Sequence, residues 1–126
     1  MIGTIIITHG KVAETLMEAA QAITGRLDGA RALSVKSSDA TDAVRESLAS
    51  AIKEVDGGQG VIIFTDMFGG TPTNIALSFM REGRIEVITG VNLPMLIKFA
   101  GYRADKTLQE LTLLLKEYGR SSIVLA

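Results

Sequence analysis

Apolar and polar positions along this 126-residue chain fall into two alternating patterns. Short runs rich in β-branched residues lie at positions 2–8 and at Val61–Thr65, with weaker runs at Ala30–Val35 and Ile85–Thr89 and a last one at 122–125. Near-continuous apolar runs of this length predict strands covered on both faces, hence a parallel sheet. Between them, apolar residues recur every three to four positions, which predicts amphipathic helices. Val12, Leu16, Ala19, Ala20 and Ile23 form one such stripe, stopped by Gly25. Val44, Leu48, Ala51, Ile52 and Val55 form a second, before Gly57 and Gly58. Ile75, Ala76, Phe79 and Met80 form a shorter third that ends near Gly83. Asn92 and Pro94 supply the cap and first turn of a brief helix through Phe99. The last helix carries Leu108, Leu111, Leu114, Leu115 and Tyr118, with Thr107 and Glu110 as its capping box and Gly119 as its stop. Strands alternating with helices predict an α/β fold with right-handed crossovers and helices on both sheet faces.

Composition narrows the chemistry. The length fits one domain, residues 1–126. Hydrophobic residues make up 47% of the chain, too many for a disordered segment. A net charge of -1 argues against a broad nucleic-acid surface. With no cysteine there is no thiolate metal site, no disulfide scaffold and no cysteine nucleophile, and a single histidine makes a zinc site a poor fit. No apolar run approaches the ~20 residues that span a bilayer. Met1 leads directly into apolar residues without a basic region, so a cytoplasmic location is expected. The Gly57-Gly58-Gln59-Gly60 stretch lacks the following Lys-Ser/Thr of a phosphate-binding P-loop and reads as a turn. There is no dinucleotide fingerprint either, so neither a nucleotide cofactor nor a metal is expected.

Ligands of doubly wound sheets bind at the carboxyl ends of the strands, where strand order reverses. The first strand ends in Thr8-His9-Gly10 and the third in Thr65-Asp66, followed by Met67-Phe68-Gly69-Gly70-Thr71-Pro72-Thr73-Asn74. Adjacent strands would set His9 beside Asp66. An imidazole can carry a covalent group on nitrogen, and a carboxylate on one ring nitrogen turns the other outward. Gly69 and Gly70 permit a tight turn with exposed N–H groups; Thr71 then reads as an N-cap and Pro72 as the first helical residue. That helix start would bind a phosphoryl group or another oxyanion. Each feature has a plain alternative: a surface histidine, a loop-capping aspartate, a turn before a helix. A histidine nucleophile with no nucleotide site suggests a carrier that receives a group from one protein and gives it to another.

These residues resemble the IIA domain of the mannose-type family of the bacterial phosphoenolpyruvate-dependent sugar phosphotransferase system. Three blocks carry the resemblance: Ile5-Ile6-Ile7-Thr8-His9-Gly10; Thr65-Asp66-Met67-Phe68-Gly69-Gly70-Thr71-Pro72-Thr73-Asn74; and Gly90-Val91-Asn92-Leu93-Pro94-Met95-Leu96. It implies a doubly wound, mostly parallel five-stranded sheet whose last, antiparallel strand, residues 122–125, is exchanged in a homodimer. It implies that His9 is phosphorylated, that Asp66 orients it, and that Gly69, Gly70 and the capping hydroxyl of Thr71 bind the phosphate. The implied donor is the phosphohistidine carrier HPr and the implied acceptor a IIB domain. The chain ends at Ala126, so a separate IIB protein is expected. Met67, Phe68 and Met95 would supply an apolar rim, with core packing the alternative for Phe68. Competing readings are a hydrolase using His9, Asp66 and a Thr71 or Thr73 hydroxyl, the related phosphoryl-donor subunit of dihydroxyacetone kinase, and a regulatory module that signals by its phosphorylation state. The hydrolase lacks a nucleophile elbow.

Overall fold

A computed structural model describes all residues, Met1–Ala126. Four strands and five helices alternate: β1 (Gly3–His9), α1 (Val12–Thr24), β2 (Ala30–Val35), α2 (Thr41–Val55), β3 (Val61–Thr65), α3 (Gly70–Leu77), β4 (Ile85–Thr89), α4 (Leu93–Tyr102) and α5 (Leu108–Ser121). The sheet order is β2-β1-β3-β4, and all three pairings are parallel. The chain first winds to one side of β1 and then to the other, so the reversal of strand order falls between β1 and β3.

Period-two alternation divides the central strands between two cores. Ile2, Ile6, Ile62 and Phe64 face α1, α4 and α5, where Phe64 meets Phe99 edge to face at 5.9 Å. Ile5, Ile7, Val61 and Ile63 face α2 and α3. Every residue of β3 is buried, as the uninterrupted apolar run requires.

Helix starts follow local chemistry. The Asn92 side chain accepts the Met95 N–H at 3.0 Å with Pro94 in the first turn, and Thr107 and Glu110 form the reciprocal capping box. Three details depart from the sequence reading. The third helix stops at Leu77 and relaxes into tight turns at Phe79 and Met80. Gly119 does not stop α5: it lies inside the last turn, where a Cβ would fall 2.4 Å from the Met95 methyl group, so it serves close helix packing. The sheet within one chain has four strands, not five. Residues 123–126 follow α5 without a strand partner, and Ile123, Val124 and Leu125 project their apolar side chains into solvent.

Candidate functional site

The site forms where β1 and β3 end side by side. Ile7 pairs with Thr65, so His9, two residues beyond Ile7, and Asp66, one beyond Thr65, emerge together at the carboxyl edge. This is the topological switch point of the sheet. The two residues, 57 apart in the chain, meet through two contacts. The His9 backbone N–H donates to Asp66 Oδ2 at 3.0 Å, and His9 Nδ1 lies 2.8 Å from the same oxygen. A carboxylate only accepts, so this contact places the ring proton on Nδ1 and leaves the Nε2 lone pair free.

The pair is graded in exposure. The imidazole side chain is 49% exposed and the carboxylate 19%. Partial burial alone would raise the Asp66 pKa. The hydrogen bonds from the His9 ring and backbone, with the charge that the ring can carry, outweigh it and hold the carboxyl below its ordinary value. Asp66 is therefore a fixed anion behind a half-exposed ring.

The loop after Asp66 closes the other side of the imidazole. Gly69 and Gly70 have φ of +82° and +81°, a region open to glycine and costly to other residues. A Cβ on Gly70 would lie 3.0 Å from His9 Cε1 and 3.2 Å from Nε2. The absent side chain thus leaves clear the space beside the free nitrogen. Helix α3 begins at Gly70 without a side-chain cap. Its first-turn N–H groups lack intrahelical partners and give that end a partial positive charge.

Several expectations change here. Thr71 is not the N-cap: the glycine conformations start the helix two residues earlier, with Gly69 as N-cap, and the Thr71 side chain is exposed in the first turn. Pro72, which lacks an N–H, fits that turn. Met67 and Phe68 are exposed, Phe68 at 79%, so Phe68 does not pack in the core. Met95 does not join the rim: it is 4% exposed and packs between α4 and α5. Three hydroxyls have structural roles that the sequence reading did not assign. Thr8 accepts the Ala13 N–H at 2.7 Å and so caps α1, whose formal N-cap Lys11 has no side-chain bond. Thr65 and Thr73 join beneath the Asp66 loop at 2.7 Å. Thr8 and Thr65 are marked only by their places at strand ends, and Thr73 only by its place in the motif that follows Asp66.

A doubly wound α/β domain with one histidine held by an aspartate at its switch point defines a class of protein that presents an imidazole to a partner. The comparisons identify the family. The family model described as "PTS system fructose IIA component", EIIA-man, matches residues 3–114. The chain belongs to this family of sugar phosphotransferase system IIA components, proteins of a phosphoryl relay. It is 32% identical over 123 residues to the fructose-specific EIIA component of Bacillus subtilis (strain 168), covering 97% of this chain and 84% of that protein. It is 30% identical over 124 residues to the mannose-specific EIIAB component of Escherichia coli (strain K12), covering 97% of this chain but 38% of that longer protein. The mannose/sorbose-specific IIA subunit from Enterococcus faecalis superimposes with a TM-score of 0.88 at 28% identity, over 99% of this chain and 94% of that one. EIIA from Streptococcus agalactiae shares the fold, with a TM-score of 0.89 at 22% identity, over 99% and 97% of the two chains.

Proposed function

We propose that His9 is the phosphoryl-carrying residue of this relay component, loaded on Nε2 by phospho-HPr and discharged to a IIB domain. The observation that supports this most directly is the 2.8 Å contact of Nδ1 with Asp66 Oδ2 on a half-exposed ring. The Nε2 lone pair attacks phosphorus. The phosphorus–nitrogen bond of the donor breaks, and its electron pair stays on the donor nitrogen. The His9 ring becomes positive during transfer, and Asp66, still accepting from Nδ1–H, offsets that charge. The N–H groups of the loop and helix start at Gly69, Gly70 and Thr71 face the equatorial oxygens. Transfer to the acceptor reverses these steps. The exposed Met67 and Phe68 beside the site offer an apolar centre for docking either partner protein.

In this reading residues 1–126 form a single IIA domain that works in the cytoplasm as a homodimer. The support for a dimer is the free edge of β4 together with the exposed apolar residues 123–125. Laid antiparallel along a partner's sheet, that segment supplies the fifth strand and removes both liabilities. Deleting residues 122–126 is expected to give a monomer in sedimentation; a variant that still sediments as a dimer contradicts the exchange. The carrier role is tested by incubating the protein with phosphoenolpyruvate, enzyme I and HPr and measuring intact mass. One acid-labile phosphate is expected on the wild type and none on His9→Ala. An unmodified wild type, or a phosphorylated His9→Ala protein, refutes the assignment.

A further inference from the structure

Beneath the loop that carries Asp66 lies a buried hydroxyl pair with no counterpart in the mechanism above. Thr65, the last residue of β3, and Thr73, in the first turn of α3, are both buried. Their Oγ1 atoms are 2.7 Å apart, and Thr73 Oγ1 donates to the Met67 carbonyl at 2.5 Å. A carbonyl can only accept. The single Thr73 proton therefore goes to Met67, and Thr65 must donate to Thr73. The chain has one direction: Thr65 O–H to Thr73, Thr73 O–H to Met67.

Met67 transmits this grip to the site. Its own N–H donates to Asp66 Oδ1 at 3.1 Å. One carboxylate oxygen is thus held by the loop, and the other, Oδ2, is turned towards both His9 donors. The Met67 side chain points into solvent, so it is the backbone that needs an anchor. With the Thr73 hydroxyl absent, the inward Met67 carbonyl has no buried partner, and the loop must shift to find water. A shifted loop rotates the carboxylate away from Nδ1 and moves Gly70 against the reacting nitrogen.

We infer that Thr73, backed by Thr65, is a positioning residue for phosphoryl transfer: its hydroxyl sets the Asp66 carboxylate, and through it the His9 tautomer. This inference deepens the carrier reading and rests on it for the rate consequence, but the tautomer consequence stands alone. His9 is the only histidine, so its ring nitrogens give unique signals in long-range 1H–15N NMR of uniformly labelled protein. In the neutral wild-type ring, the Nδ1–H form is expected. In Thr73→Val, which keeps the shape and removes the hydroxyl, a large share of Nε2–H is expected, with phosphorylation by phospho-HPr slowed about 10–100-fold. Thr73→Ser is expected to restore both. A contact that only stabilises the fold lowers the melting temperature in Thr73→Val and leaves tautomer and rate alone; that result overturns the inference. If Thr73→Val does not fold, Thr65→Val carries the same test. It removes the backing donor but keeps the bond to Met67, so a smaller shift of tautomer and rate is expected, and an unchanged tautomer overturns the inference. A wild type that accepts no phosphate refutes the carrier reading, while the tautomer comparison still decides this one.

Discussion

The two ends of the sheet hold a buried or half-buried ionisable side chain against the backbone, and they use it in opposite ways. At the amino end, Arg103 is buried. Its Nε and Nη2 donate to the Ile2 carbonyl at 3.0 and 2.8 Å, Nη2 reaches the Gly29 carbonyl at 3.5 Å, and the guanidinium stacks on Phe99 at 5.0 Å. Burial holds its pKa below the ordinary value, an effect that the nearby Asp28 only partly offsets, but a guanidinium keeps its proton in proteins. At the carboxyl end, the imidazole of His9 is engaged on one nitrogen and open on the other. A side chain whose Nε and Nη2 donate to carbonyls at two strand starts fastens them; a side chain with one lone pair in solvent is available for chemistry. The fold therefore separates stability from reactivity by the length of a strand.

That separation can be broken from either side. The largest effect is expected from Gly70→Val. The new side chain needs the space beside Nε2, and its backbone would have to hold a φ of +81°. Phosphorylation should fall by more than about 100-fold, because a displaced reacting geometry costs that much. Wild-type rates in this variant would mean that the space beside Gly70 is not where the phosphoryl group sits.

A smaller loss is expected from Asp66→Ala: transfer slowed roughly 10–100-fold in stopped-flow measurements, with the fold intact. The pair also carries a pH signature. Asp66 is held below its ordinary value of 3.8. Its contribution to folding is therefore complete above that value and disappears as the pH falls through the lower folded pKa. The gap in urea stability between wild type and Asp66→Ala should narrow as the pH falls below the ordinary carboxyl value of 3.8. A gap that widens on acidification contradicts the depressed carboxyl.

The smallest effect on transfer is expected at the other end. Arg103→Leu leaves the Ile2 carbonyl without its donors and should cost about 1–3 kcal/mol in urea unfolding. The phosphorylation rate of the folded fraction should not change. A slowed transfer in folded Arg103→Leu protein would show that the two ends are coupled.

Much of this was legible along the chain, for physical reasons that differ by region. The apolar runs predict β2, β3 and β4 at their observed bounds: β3 is buried throughout, and β2 and β4, at the sheet edges, keep enough apolar residues around Arg31 and Glu86 to show the same pattern. His9 and Asp66 are foreseeable as neighbours because strand ends of a parallel sheet share one edge. Most of the misses depend on packing between distant segments. Gly119 reads as a stop but is a small residue demanded by Met95 across the helix pair. Met95 sits in a motif that accompanies the site residues in the sequence, yet it turns into the core. Thr71 has the side chain of a cap, but two glycines with positive φ begin the helix before it. The Thr65–Thr73 pair joins a strand end to a helix turn, and no local pattern announces a contact of that kind. The fifth strand proposed for residues 122–125 would come from a second chain, so the geometry of one chain carries no trace of it.

The central claim is that Asp66 occupies Nδ1 and leaves Nε2 to carry the group. It is tested most directly by preparing the phosphorylated protein with 15N-labelled histidine and locating the phosphorus–nitrogen coupling by NMR. The account predicts coupling at Nε2 of His9, with the proton retained on Nδ1. Phosphorus on Nδ1, or on no histidine nitrogen at all, would contradict it.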